Sequence, residues 1–314
     1  MKNVVFLDTV HPVLWDRLTE FGLKCIDATN LDKKKCIELL RNAFGVVIRS
    51  RFRVDDTLLK DAKELKFIAR SGSGLENIDL PYCEKKNIVV FNSPEGNRNA
   101  VGEHTLGLLL NLLNNISKSD KEIRSKKWNR EGNRGEELDG KTIGIIGYGN
   151  NGRAFAKKLK GFEVNILAYD KYKSNFSDGF VKEANLSEIY NKADVISFLI
   201  PLNKETKYWA NDAFFYQLKK PIYLLNISRG EIIKTTSLLN AIEKEKIKGA
   251  GLDVLEFEPS SFAPFLKSIP IEIYKRLVDS EKIILTPHVA GWTKESYFKL
   301  SNVLANKIIS HFSL

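Results

Sequence analysis

A chain of 314 residues, 43% hydrophobic, with 20 Gly and 9 Pro, is long enough for one large or two ordinary cores and too apolar to be disordered. No run approaches the roughly eighteen apolar residues of a membrane span, and the first ten residues lack a signal peptide's apolar stretch. Cys25, Cys36 and Cys83 stand in no CxxC or Cys/His spacing, so a soluble cytoplasmic protein is expected, with no disulfide scaffold and no metal. The formal charge of +10 is carried by 36 lysines and 13 arginines scattered along the whole chain, a pattern of solvated surface rather than of a nucleic-acid-binding face.

In chain order, residues 4–7, 45–48, 65–69 and 88–91 are short apolar runs, the first three followed by amphipathic stretches at 13–21, 55–63 and 78–85. Strands that are apolar throughout, alternating with helices, indicate a parallel sheet covered on both faces. Residues 99–128 form the longest helical pattern, with Val101, Thr105, Leu108, Leu109 and Leu112 on one side, and predict a helix connecting two domains. A second α/β series offers six strand candidates, at 141–146, 164–169, 195–200, 223–225, 249–254 and 283–286. A closing helix at 294–310 is expected to return to the first domain. The expected fold class is α/β: two Rossmann-like or flavodoxin-like domains with doubly wound parallel sheets and a cleft between them. Residues 1–97 plus 291–314 would form a discontinuous substrate-binding domain, and residues 98–290 the nucleotide-binding one.

Gly147-Tyr148-Gly149-Asn150-Asn151-Gly152 follows the strand at 143–146 and opens a helix at 153–160, the context in which this spacing holds a dinucleotide. Gly147 permits a tight turn, Gly149 lets the backbone approach a pyrophosphate drawn to the helix N-terminus, and Gly152 lets helix pack on strand. Asn150 and Asn151 complete the loop, with Asn151 standing where an apolar residue is common. Asp170 ends the next strand, eighteen residues past Gly152, where its carboxylate can accept the ribose hydroxyls of NAD. Lys171 and Lys173 beside it leave room for NADP.

Three polar residues follow the later strands, where an open α/β sheet places its ligand. Arg229 lies in Asn226-Ile227-Ser228-Arg229-Gly230, Glu258 after Gly251-Leu252-Asp253-Val254-Leu255-Glu256-Phe257, and His288 in Leu285-Thr286-Pro287-His288. Singly they read as a surface arginine, a solvated glutamate and a histidine after a proline. Together they supply what hydride transfer from a 2-hydroxy acid needs: a base for the hydroxyl proton, a carboxylate to fix its tautomer, and a cation for the carbonyl and carboxylate oxygens.

At these residues the sequence resembles the D-isomer-specific 2-hydroxyacid dehydrogenases. The resemblance runs nearly the whole chain, through Ser71-Gly72-Ser73-Gly74-Leu75-Glu76-Asn77-Ile78-Asp79, Asn99-Ala100-Val101-Gly102-Glu103-His104, the glycine loop, Pro201-Leu202-Asn203-Lys204-Glu205-Thr206, the Arg229 and Glu258 segments, and Thr286-Pro287-His288-Val289-Ala290-Gly291. It implies that Arg229, Glu258 and His288 are catalytic, that Asp253 meets the nicotinamide carboxamide, that Pro201 and Ser228 line the cofactor, and that the backbone at Ser73 and Gly74 holds the substrate carboxylate. Two departures stand out. Leu199 replaces a usual histidine near the cofactor, which implies altered NADH affinity, and Lys234 replaces a common acidic residue before a helix.

Arg49 follows one strand of the first domain and Arg70 precedes the Ser71–Gly74 loop; within the family these resemble the phosphate ligands of enzymes that oxidise 3-phosphoglycerate. Arg51 and Arg53 read rather as solvated edge charges. The end of the chain at Leu314 leads to the expectation that no regulatory domain follows. Alternatives are a glyoxylate or hydroxypyruvate reductase, a D-lactate-type enzyme, and an NAD-sensing corepressor-like binding protein, against which the lack of a long disordered tail counts. Leu106, Leu110 and Leu113 on a second face of the long helix predict a homodimer. Residues 260–280, rich in Phe, Pro and Ile, are expected to form a wall of the active site or an interface.

Overall fold

A computed structural model describes residues 1–258 and 269–313. They fall into two compact units, residues 1–97 with 292–313 and residues 98–258 with 269–291. No helix among the described residues is long and apolar enough to cross a membrane.

The first unit runs β1 (Asn3–Phe6), α1 (Pro12–Glu20), β2 (Lys24–Asp27), α2 (Lys33–Leu40), β3 (Ala43–Ile48), α3 (Asp56–Leu59), β4 (Phe67–Arg70), α4 (Leu80–Lys85) and β5 (Val89–Asn92). The five strands are parallel, in the order β2-β1-β3-β4-β5, the flavodoxin-like arrangement. β2 is absent from the sequence reading because this edge strand, Lys-Cys-Ile-Asp, buries no residue fully. Val4, Val5, Val46, Val47, Ile68 and Ala69 are at most 1% exposed, since both faces are covered. On one face lie Leu14 and Leu18 of α1 with Leu304 and Ile308 of the closing helix; on the other, Cys36, Leu40 and Leu58.

Helix α5 (Pro94–Leu113) begins five residues before the expected long helix and ends at Asn114-Asn115, where Asn115 adopts φ +52°. Asparagine tolerates that left-handed turn, and a separate α6 (Ile116–Arg124) follows. The second unit continues with β6 (Thr142–Ile146), α7 (Asn150–Lys158), β7 (Asn165–Tyr169), β8 (Val181–Glu183), α8 (Leu186–Lys192), β9 (Val195–Phe198), α9 (Asp212–Gln217), β10 (Ile222–Asn226), α10 (Thr235–Glu243), β11 (Ile247–Leu252), α11 (Ile271–Val278) and β12 (Ile283–Leu285). Helix α12 (Lys294–Phe312), N-capped by Thr293, belongs to the first unit. The seven parallel strands are ordered β12-β11-β10-β9-β6-β7-β8, a doubly wound sheet whose direction of winding reverses between β6 and β9. Ligands bind such sheets beyond the strand C-termini at that reversal. β8, a three-residue edge strand, exceeds the six expected.

Leu113 is 1% exposed, and Leu106 and Leu110 pack against the second unit's own core, so this face of α5 does not need a second subunit to cover it. The larger exposed apolar groups lie further on, at Ile116, Ile123 and Trp128. Of the 260–280 segment, residues 260–268 lie outside the described residues, while α11 sends Leu277 into the core.

Candidate active site

The glycine loop joins β6 to α7 at the winding reversal. Gly147 has φ +101°, and a Cβ there would fall 2.5 Å from the Leu199 carbonyl oxygen; only glycine fits. A Cβ on Gly152 would fall 2.1 Å from the Gly147 carbonyl oxygen, so turn and helix pack without a side chain between them. At Gly149 a Cβ would meet nothing nearer than Lys173 Nζ at 3.9 Å. The space beside that backbone is open, and Gly149 caps α7 with no side-chain bond to its first N–H groups. Helices α2, α8 and α12 close the same positions with Asp32, Asn185 and Thr293. Open backbone beside unpaired helix N–H groups fits a pyrophosphate. Asn150 and Asn151 begin the helix, and Asn151 Oδ1 is buried with no hydrogen-bond partner among the described residues.

Asp170 lies just past β7. Its Oδ2 accepts from Tyr148 N at 2.9 Å and its Oδ1 from Tyr172 N at 3.0 Å, so it ties the glycine loop to the neighbouring strand. A carboxylate has about four lone-pair sites, which leaves capacity for ribose hydroxyls. Pro201 and Ser228 are held by local bonds: Thr206 Oγ1 donates to the Pro201 carbonyl at 2.7 Å, and Ser228 Oγ to the Phe198 carbonyl at 2.6 Å. Leu199 is 8% exposed and packs in the apolar cluster containing Tyr148 and Ala290. In place of an acidic residue at Lys234, Glu256 Oε2 accepts from Thr235 N at 2.8 Å and caps α10 from another loop.

Arg229, Glu258 and His288 follow β10, β11 and β12, three neighbouring strands. Asn226 presents Arg229 by accepting from Ser228 N (3.2 Å) and donating to the Arg229 carbonyl (3.0 Å). The guanidinium itself donates to the Ser228 carbonyl at 2.6 Å. Glu258 is fixed at one oxygen by Leu255 N (2.8 Å) and meets His288 Nδ1 with the other, also at 2.8 Å. Both side chains are about a quarter exposed, 27% for His288 and 24% for Glu258. His288 has φ +54°, a left-handed conformation costing a non-glycine residue about 1 kcal/mol or more. Its N–H donates to the Asp253 carbonyl at 2.8 Å.

The Asp253 side chain, 1% exposed, accepts from Val289 N and Ala290 N at 2.9 Å each and from Thr286 Oγ1 at 2.6 Å. It thus grips the loop that carries His288. His104 on α5 completes the set, its Nε2 lying 3.1 Å from Thr286 Oγ1. Sequence reasoning gave Thr286 and His104 no role; their signal was membership of two of the matching segments. Burial pushes the Cys83 thiol up to about 11, well away from a nucleophile's range.

In the first unit, Asp8 Oδ2 accepts from three successive N–H groups, those of Arg49 (2.6 Å), Ser50 (3.0 Å) and Arg51 (3.1 Å). Asn77 Nδ2 bonds the carbonyls of Arg49 and Phe52 at 3.2 Å each. The Arg49 guanidinium lies over the Trp292 ring, 4.4 Å from its centre. Arg51 instead donates to the carbonyls of Leu7 (3.0 Å), Ala28 (2.9 Å) and Leu31, so it braces the strand ends. Arg53 sits 3.7 Å from Asp55 at the surface. Arg70 ends β4 and folds over Gly72, where a Cβ would fall 1.4 Å from its Nη1. Ser73 bonds Asn97 through Oγ (2.8 Å) and accepts from Asn92 Nδ2 (2.7 Å). The N–H groups of Ser73 and Gly74 have no acceptor among the described residues.

With this geometry in place, comparison with known proteins is decisive about the family. Residues 106–290 match the model of the D-isomer-specific 2-hydroxyacid dehydrogenase NAD-binding domain. The chain belongs to this family. Human D-3-phosphoglycerate dehydrogenase is 32% identical over 311 residues, 98% of this chain and 56% of the human protein; the chain thus spans little more than half of that relative. A Thermotoga maritima hydroxypyruvate reductase is 30% identical over 289 residues, 92% of this chain and 91% of that protein. Among solved structures, a Treponema pallidum D-lactate dehydrogenase superimposes with a TM-score of 0.82 at 27% identity, covering 98% of this chain and 95% of that one. The cofactor of the matched domain is NAD, and the glycine loop, open helix terminus and Asp170 are the residues that fit it.

Proposed function

We propose that the chain is an NAD-dependent D-2-hydroxyacid oxidoreductase whose substrate pair is 3-phosphoglycerate and 3-phosphohydroxypyruvate. The observation that carries the chemistry is the 2.8 Å pair between His288 Nδ1 and Glu258, His288 standing on a strained loop after β12 and Glu258 following β11, the neighbour of the strand that presents Arg229. Bound NAD supplies the hydride acceptor, or in its reduced form the donor. In oxidation His288, with Nδ1–H donated to Glu258, takes the substrate hydroxyl proton on Nε2; in reduction the same atom returns it to the carbonyl oxygen. Arg229 offers paired donors to the keto acid. The unpaired N–H groups of Ser73 and Gly74 receive the substrate carboxylate, and Arg49 and Arg70 the phosphate. Arg49 suits that part because its backbone bonds and its stacking on Trp292 fix it, with no ion pair within 4 Å among the described residues, whereas Arg51 is committed to three carbonyls.

A second reading, glyoxylate or hydroxypyruvate reduction, is favoured by the Thermotoga relative, which this chain matches over nearly its full length. The deciding assay is NADH oxidation with 3-phosphohydroxypyruvate, hydroxypyruvate, glyoxylate and pyruvate at equal low concentration. A preference of about a hundredfold for the phosphorylated acid, about 2.7 kcal/mol, is expected. Equal or better turnover of hydroxypyruvate establishes the second reading. No turnover of any of the four, with NADH still bound, points instead to a cofactor-sensing binding protein. The exposed Ile116, Ile123 and Trp128 support a homodimer.

A further inference from the structure

We propose that His104 is a positioning residue for His288, acting through Thr286 and Asp253. The proposal rests on the function proposed above for the role of His288, but its geometry stands in the second unit alone.

Proton accounting fixes the network. Asp253 accepts at both oxygens, from Val289 N on Oδ1 and Ala290 N on Oδ2. Thr286 Oγ1 donates its single proton to Oδ1 at 2.6 Å, so it has none to give His104. The 3.1 Å contact of His104 Nε2 with Thr286 Oγ1 is therefore a bond in which Nε2 carries the proton, and the same nitrogen lies 3.5 Å from Asp253 Oδ1. The chain of donors runs from His104 to Thr286 to Asp253, and every one of these donors converges on a carboxylate that is 1% exposed.

The segment so gripped is the one that turns through His288. Residues 286, 289 and 290 are tied to the Asp253 side chain, and His288 N to the Asp253 carbonyl. His288 is thus held on both sides in a left-handed conformation that it would otherwise leave. His104 brings the only side-chain donor to Thr286 from α5 among the described residues. Without it Thr286 Oγ1 loses the donor that fixes it from the α5 side, and its rotamer is held by the bond to Asp253 alone. The imidazole of His288 then loses its fixed angle toward Glu258 and the reacting atoms.

The test uses the full chain as His104→Leu, His104→Gln and Thr286→Val. His104→Leu is expected to lower kcat about 10- to 100-fold, the scale of a small misplacement of a reacting group, with the NADH dissociation constant and substrate KM within about twofold. His104→Gln, which places an amide N–H near the Nε2 position, recovers most of the loss. Thr286→Val matches His104→Leu, and the double variant is no worse than either. Independently of turnover, nitrogen NMR of the histidine-labelled wild-type chain should show His104 protonated at Nε2, and His104→Leu should move the His288 ring signals while His11 and His311 stay in place. A bare Nε2 on His104, or an undiminished kcat in His104→Leu, overturns the proposal. If wild type reduces no 2-keto acid the oxidoreductase reading falls, and the NMR measurements still decide the network. If His104→Leu does not fold, the wild-type tautomer and Thr286→Val decide it.

Discussion

The sharpest consequence of the Glu258–His288 geometry is the behaviour expected of Glu258→Gln. The substitution keeps the shape and removes the charge, and the surroundings dictate how the new amide points. Leu255 N donates to Oε1 at 2.8 Å, so the amide oxygen must stay there and the NH₂ must face His288 Nδ1. That forces Nδ1 to accept and moves the ring proton to Nε2, the wrong tautomer for a base. In the reductive direction the doubly protonated ring would set N–H against N–H, and the neutral ring is a poor acid. Turning the amide over would leave two donors facing each other at Leu255, at about 1–3 kcal/mol. Losing the charge-assisted bond to the imidazolium adds about 1.5–3 kcal/mol. Their sum, about 2.5–6 kcal/mol, corresponds to a fall of about 10²- to 10⁴-fold in kcat. Single-turnover NADH absorbance with the best keto acid measures the loss, and NADH fluorescence should give a dissociation constant within about twofold of wild type. Retention of more than about a tenth of the wild-type kcat refutes the tautomer argument, as does a parallel collapse of NADH binding.

Asn151→Leu removes a buried oxygen that has no partner among the described residues and is expected to stabilise the chain by about 1 kcal/mol, read as a raised urea midpoint with NADH affinity unchanged. Burial pushes the Glu136 carboxyl up, but its bonds from Lys248 and Lys141 outweigh that and hold it at about 2, against 4.5. The full shift corresponds to about 3 kcal/mol, which the 36% exposure of the side chain reduces to about 1 kcal/mol. Because the folded value is the lower one, this stabilisation is present above pH 4.5 and is lost as the pH falls toward 2. The urea midpoints of wild type and Glu136→Gln should therefore converge over that window. Light scattering at micromolar concentration should show a dimer that Ile123→Glu weakens; a 36 kDa wild-type species would contradict the homodimer.

What the residues disclosed in advance follows from which physical constraints are local. Parallel strands apolar on both faces, such as 45–48, announce themselves by composition, while β2 and β8 at sheet edges bury too little to do so. The glycine loop was legible because close approach and positive φ restrict residue type at fixed spacing. The end of α5 was missed because the Leu-Leu-Asn-Asn-Ile run keeps an apolar rhythm through a break made by one backbone dihedral, at Asn115. Lys234 illustrates the opposite limit, since its missing acidic function is supplied by Glu256 from a loop some twenty residues away.

The arginines carry the same lesson into function. Arg49 and Arg51 sit two residues apart with equal charge, yet sequence cannot separate them because their partners are distant. Asp8, Asn77 and Trp292 fix Arg49 at its backbone and ring face, whereas Leu7, Ala28 and Leu31 commit Arg51 to carbonyl oxygens. Removing each should therefore have a different signature. Arg49→Met should raise KM for 3-phosphohydroxypyruvate about 10- to 100-fold while leaving pyruvate kinetics and stability nearly unchanged, since it removes a charge-assisted bond worth about 1.5–3 kcal/mol. Arg51→Met strands three carbonyls at the strand ends and should lower the urea midpoint, with any kinetic change equal for phosphorylated and unphosphorylated acids. If Arg51→Met discriminates between the acids and Arg49→Met does not, the assignment of the phosphate to Arg49 is wrong. The second reading of the function would then gain the support that the first had lost.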